Sequence, residues 1–306
     1  MASVSPNVFD LAPSLSLVSL VTGKGGVGKT TVAAGLAFAQ ARRGGRALFV
    51  EFGDGESGRR ALGISSGNDA NVSIEHVVIE PREAIKCMAT PLFGSALLAR
   101  VVLGNFAMRR LLSAAPGLRE LAQLWAVHDL ASKNPGTPVI VDMPATGHGI
   151  AWLRVPAQLR DMIGSGPLHR LTAQIADELV HPERCSVIVV TLPEPLVLKE
   201  TLDLCHALDH RVGIPAARLV INRLPIDLGE SALAQAEKLA QSGNGENRWT
   251  EPLLSTLQAR NAARQEALVA VTGSNAGGIG RLFLPDWPTD PTAAQTGRWL
   301  ESGTGG

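Results

Sequence analysis

The densest chemistry in the chain lies in eight residues, "GKGGVGKT", from Gly23 to Thr30. They fit the pattern G-x-x-x-x-G-K-[ST], whose chemistry is phosphate binding. Glycines let the backbone turn tightly. The N–H groups of Gly25, Gly26, Val27 and Gly28 can then point inward at phosphate oxygens. The helix expected from Lys29, Thr30 and Thr31 onward adds the partial positive charge of its N-terminus. Lys29 is placed to reach the β- and γ-phosphates, and the Thr30 hydroxyl suits Mg²⁺. A second lysine, Lys24, stands on the outward edge of the loop. In a single copy it is expected to find solvent. Across a two-fold dimer it can reach the partner's phosphates and supply positive charge in trans during phosphoryl transfer.

These groups need a strand before them and a helix after them. "SLSLVSLVTG" reads as a buried strand, and "KTTVAAGLAFAQARR" as a helix with cations at its C-terminal end. Further strands are expected at "GRALFVEF", "HVVIEP", "TPVIVDMP", "RCSVIVVTLPEP", "ARLVINRLP" and "RLFLP". Helical patterns fall at 168–180, 196–211 and 229–242. Strands alternating with helices predict an α/β fold, a mostly parallel sheet flanked by helices on both faces. The block from about 81 to 132 breaks the alternation. It reads as an inserted helical subdomain, interrupted at Pro116-Gly117. The expected division is a flexible arm over 1–14, one domain over 15–300 and a flexible tail over 301–306.

Composition narrows the function classes. Of 306 residues, 45% are apolar and 18% charged, which suits a globular chain with a sizeable core. Basic and acidic residues balance at 28 each, so no bulk charge draws the chain to nucleic acid or to an anionic membrane. Cys87, Cys185 and Cys205 form no C-x-x-C pair. They read as small buried side chains in a reducing cytoplasm. The N-terminus lacks the basic start and apolar run of a signal peptide. The most apolar window, 91–108, carries Arg100 and two glycines and is not expected to span a membrane.

The signature K-G-G-x-G-K-T-T, with Lys24 inside it, resembles the deviant Walker A motif of a P-loop NTPase family. That family includes Min-type septum-placement ATPases, Par-type partition ATPases, the nitrogenase iron protein and the arsenite-pump ATPases. The resemblance implies a dimer that sandwiches ATP. "VIVDMPATGHGIAWLRVP", 139–156, is similar to the switch II segment D-x-A-P-T-G-H…L-R-x-P. That segment belongs to arsenite-pump ATPases and to the eukaryotic ATPase that targets tail-anchored proteins. The chain looks most like bacterial single-domain members of this group, over about residues 17–290. By this resemblance Asp142 holds Mg²⁺ through water, and Gly147 and His148 lie in the turn that senses the γ-phosphate. Glu194, in "VTLPEPLVLKET", is placed near the nucleotide. Asn222, in "LVINRLP", is placed on adenine, where an amide offers donor and acceptor side by side. The loop 282–288 is expected to close over the base. The helical insert then falls between switch I and switch II. The implied ligands are ATP and Mg²⁺. The implied partners are a second copy or a related ATPase subunit, and a protein client.

The sequence also departs from that group. Switch I there reads about S-T-D-P-A-H, and its aspartate positions the attacking water. Here "FVEFGDGESGRRALG" puts Gly53 at that place. Asp54 is the expected substitute, with Glu51 as the alternative, and hydrolysis is expected to be slow. "GDGESG" reads equally well as a solvated loop. Cys87 alone does not make a metalloid site, and the zinc C-x-x-C of the targeting ATPase has no counterpart. In the insert, Leu92, Phe93, Leu97, Val101, Val102, Phe106 and Met108 cluster. They suit a client surface or packing within the chain. A nucleotide-dependent scaffold with little hydrolysis, paired with a related subunit, is the alternative function. A Min- or Par-type positioning role finds no support. The last helix, "TAAQTGRWLE", is short and polar, and no basic stretch suggests DNA.

Overall fold

The computed structural model describes residues 15–63, 73–105, 117–144, 149–225, 229–242, 250–273 and 279–302. Seven strands form one parallel sheet: β1 Val18–Gly23, β2 Arg46–Phe52, β3 Ser73–Ile79, β4 Val139–Asp142, β5 Cys185–Thr191, β6 Ala216–Leu224 and β7 Gly280–Pro285. Their spatial order is β3-β2-β4-β1-β5-β6-β7. All seven segments expected as strands are strands. β1, β4 and β5 are buried along their whole length, which explains why they read as continuous apolar runs rather than alternating ones. The chain leaves β1 toward β2 and later crosses to β5 on the other side. The reversal of strand order at β1 opens a crevice at the C-terminal ends of these strands.

Helices cover both faces. On one side lie α1 (Lys29–Gly44), α2 (Glu56–Leu62) and the last helix, α11 (Ala293–Ser302). Their core includes Val32, Leu36, Phe38, Phe49, Ile140, Ile188 and Leu284. α1 and α11 cross closely. A methyl group on Gly35 would lie 2.4 Å from Thr296 Cγ2. Arg42, in the last turn of α1, donates to Glu301 at 2.7 Å. Glu301 and Ser302 therefore belong to a packed helix, a correction to the tail expected from residue 301.

The opposite face carries α3 (Pro81–Phe93), α5 (Leu118–Lys133), α6 (Gly149–Met162), α7 (Pro167–Glu178), α8 (Pro195–Ala207) and α10 (Thr250–Gly273). α4 (Ala96–Gly104) follows α3, and α9 (Gly229–Ser242) packs against α10. The helix expected over 196–211 is divided: α8 ends at Ala207 and a π-helical turn runs Leu208–Val212. α10 has no apolar stripe, so its sequence did not announce a helix. In the block between β3 and β4, Ala84, Met88, Leu121 and Leu124 pack into the main core. α4 instead exposes Leu97, Leu98 and Val101. Leu92 and Phe93 are half-buried. Phe106 and Met108 lie outside the described residues, as do residues 1–14. Cys185 and Cys205 are buried and Cys87 is half-buried, all as free thiols. No helix among the described residues is long and apolar enough to cross a membrane.

Candidate phosphate-binding site

The loop between β1 and α1 stands at the crevice. Gly28 caps α1 in the left-handed region, with φ of 90°. A side chain there would strain the backbone, and its Cβ would lie 2.3 Å from Asn222 Nδ2. The Asn222 amide, buried at the end of β6, donates to the Val27 carbonyl at 2.9 Å. Asn222 thus ties the far strand to the loop, and one of its amide hydrogens is committed there. Gly26 also has positive φ, Val27 is buried, and Gly25 lies exposed on the outer curve.

Lys29 is buried, and its Nζ donates to the Lys24 carbonyl at 3.0 Å. Burial pushes its pKa down, and the nearby Asp142 carboxylate raises it in part. The ammonium is held over the loop where a phosphate oxygen would meet it. Thr30 Oγ1 donates to Asp142 Oδ2 at 2.6 Å. Asp142 is buried, and burial pushes its pKa up to about 6. The Thr30 hydrogen bond and Lys29 oppose that rise, and Glu51 adds to it. Its other oxygen, Oδ1, is buried without a hydrogen-bond partner. A hydroxyl beside a carboxylate with one oxygen unsatisfied is a donor set that fits a hard cation such as Mg²⁺. Thr30 and Asp142 are the residues that could hold it. Among the described residues no group of three or more His, Cys, Asp or Glu side chains fits a metal.

Lys24 is exposed, as expected of a single copy, but it also has a partner. Its Nζ pairs with Glu200 on α8 at 2.5 Å, both side chains about half exposed. Glu200 carried no signal in the sequence. Glu194 is exposed, and its carbonyl accepts the Leu198 N–H as α8 begins. Thr31 lies in the first turn of α1. Gly147 and His148 lie outside the described residues. Of the loop expected to close over the base, residues up to Pro285 belong to β7; beyond it the Asp286 N–H donates to the Leu224 carbonyl at 2.9 Å, the Asp286 carboxylate pairs with Arg260 at 3.5 Å, and Trp287 packs edge-on to Trp299.

The segment after β2 differs most from expectation. "ESGRRAL" is the helix α2 rather than a loop. Asp54 is exposed, and its Oδ1 accepts the Glu56 N–H at 3.1 Å. Glu51 is buried. It accepts the Gly58 N–H at 3.0 Å and meets His76 Nε2 at 2.6 Å. Phe52, at the end of β2, packs edge-on to Trp152 of α6, ring centroids 4.8 Å apart. A cavity of about 450 Å³ opens beside Gly53, bounded by Glu80, Pro81, Arg82 and Ile85 of the α3 start and by Arg119 of α5.

A parallel sheet with a glycine-rich phosphate loop at its switch point, a lysine over the loop and a threonine–aspartate pair below it define a P-loop NTPase. Comparison with known proteins narrows the class. Residues 17–165, just under half of the chain, match the family model described as anion-transporting ATPase. It is similar to "ATPase BagA" of Mycobacterium tuberculosis, 27% identical over 235 residues, covering 71% of this chain and 68% of the relative. It is also similar to "Uncharacterized protein SCO2128" of Streptomyces coelicolor, 32% identical over 146 residues, covering 46% of this chain and 37% of the relative.

Proposed function

We propose that the protein is a cytoplasmic ATPase switch. It binds Mg·ATP, closes as a dimer, hydrolyses slowly and thereby grips or releases a protein client. The observation that carries this reading is the division of labour between the two lysines. Lys29 is held inside the loop by the Lys24 carbonyl, while the Lys24 side chain runs outward to Glu200. A lysine set on the outer edge suits the phosphates of a facing subunit. In this reading Gly25, Gly26, Val27, Gly28 and Thr31 cradle the phosphates. Thr30 and Asp142 hold Mg²⁺, whose charge neutralises the β- and γ-oxygens. Glu194 and the remaining donor and acceptor of Asn222 face the nucleoside.

Two contacts support a mechanical link to the rest of the chain. Phe52 and Trp152 join the ends of the two switch segments. The cavity at Gly53 borders the first turns of α3 and α5, so movement of that loop alters its contact with the helical insert. The exposed Leu97, Leu98 and Val101 of α4 then form the surface offered to a client.

A second reading has an observation of its own. Gly53 has no side chain, Asp54 is engaged with a backbone N–H, and Glu51 is engaged with Gly58 and His76. Glu51 is committed to structure and Asp54 spends one oxygen on the helix start, which favours a nucleotide-dependent scaffold paired with a related subunit. Light scattering with Mg·ATP and with Mg·ADP, beside a turnover assay, separates the readings. The switch reading expects a dimer that forms or tightens with ATP and turnover above background. A monomer in both nucleotides overturns it. A dimer with background turnover, unchanged when a client is added, supports the scaffold.

A further inference from the structure

We infer that Glu51 and His76 are positioning residues for the nucleotide-sensing loop, acting through the backbone of α2. The inference rests on the ATPase reading and goes beyond it, because in that reading Glu51 is only an alternative to Asp54 for orienting water. The structure gives it a different task.

Glu51 lies at the end of β2, in register with Asp142 on β4, so both carboxylates face the α1 side of the sheet. Glu51 does not reach toward the phosphate loop. Both of its oxygens lie within 3.2 Å of the Gly58 N–H, and Oε1 also meets His76 Nε2 at 2.6 Å. A carboxylate only accepts, so Nε2 carries the proton and donates. Gly58 is the third residue of α2, and its N–H is one of those a helix leaves without an internal partner. A buried carboxylate from a neighbouring strand therefore takes the Gly58 N–H, while Asp54 of the loop takes only the Glu56 N–H; Gly55, the N-cap, has no side chain to help.

The fit admits only glycine at residue 58. A Cβ there would lie 2.4 Å from Glu51 Oε1 and 2.6 Å from Phe49. His76, on the edge strand, stacks beside Phe49 with ring centroids 5.6 Å apart, so its ring is held while it orients the carboxylate. The loop Gly53-Asp54-Gly55 is thus strung between two fixed points. One is Glu51 in the sheet, and the other is Gly58, bonded back to that same residue. The bonded pair lies seven positions apart in the chain. The short closed loop limits where Gly53 and Asp54 can go when a γ-phosphate arrives, and this pre-organisation is the work assigned to the pair.

The test uses the full chain and four variants: Glu51→Ala, Glu51→Gln, His76→Phe and Gly58→Ala. Gln keeps an acceptor for the Gly58 N–H. Gly58→Ala drives a methyl group into Glu51 without altering it. Steady-state kinetics should show kcat down about tenfold in Glu51→Ala and Gly58→Ala with KM within about twofold, and largely restored in Glu51→Gln. His76→Phe should fall between. Amide exchange over residues 53–60 should quicken in the same order, and this readout does not depend on turnover. If the wild type shows no turnover, the ATPase reading fails while exchange still decides this inference. Overturning results are unchanged kcat and exchange in a folded Glu51→Ala, or a Glu51→Gln variant as impaired as alanine.

Discussion

Replacing Asp142 with asparagine tests the electrostatics of the site most directly. The Asp142 pKa is raised from 3.8 to about 6, chiefly by burial. Between those values the unfolded chain has released its proton while the folded chain retains it. The folded state binds more protons there, so stability falls as pH rises through the window. At about 1.4 kcal/mol per unit, the whole rise is worth about 3 kcal/mol. Asparagine keeps an acceptor for the Thr30 hydroxyl but does not titrate. Its amide hydrogens, in a pocket where Oδ1 has no partner, cost about 1–3 kcal/mol, a cost independent of pH. The quantity to measure is therefore the difference in unfolding free energy between variant and wild type, by urea denaturation without nucleotide from pH 4 to pH 8. It should shift in favour of the variant by about 3 kcal/mol in total, most of it below about pH 6, and then level off. Saturating Mg·ATP should stabilise the wild type and fail to stabilise the variant. A difference that stays flat across pH would refute the assignment of a buried, reluctantly ionised carboxylate to this position.

Three further outcomes follow from the geometry. Gly28→Ala sets a methyl group against Asn222 at a positive φ. It should cost about 1–2 kcal/mol of stability and weaken a fluorescent ATP analogue at least about tenfold in direct titration. Gly35→Val forces α1 from α11 at Thr296 and should cost about 2–3 kcal/mol in chemical denaturation; a loss under about 0.5 kcal/mol would show that the crossing is loose. Lys24→Ala removes a half-exposed ion pair with Glu200, worth at most about 1 kcal/mol. It should leave ATP affinity within about twofold while cutting turnover at least tenfold; lost binding would place Lys24 in its own cradle.

Much of this protein is legible in its sequence, because the signals are local. Apolar runs marked the strands, continuous in β1, β4 and β5, since a strand buried on both faces has no polar positions to interrupt it. The glycine spacing, Lys29 and Thr30 announced phosphate binding within eight residues, since the loop builds its site from its own backbone. Asp142 was picked out by the resemblance of its segment to switch II, at the end of such a run. What the sequence did not show depends on partners far along the chain. The stretch "GDGESG" hid the start of α2, because its Gly58 N–H is taken by Glu51, a side chain on a strand that His76 of the next strand holds in place. Lys24 was expected in water, because nothing in the sequence indicates that α8 brings Glu200 to it. Glu301 and Ser302 looked like part of a tail until α11 closed on α1, where Gly35 and Thr296 touch only because two distant helices cross. The sequence by itself determined the sheet and the phosphate loop. Tertiary structure decided which carboxylates are free, because a carboxylate's availability is set by the donors that folding brings within hydrogen-bonding reach.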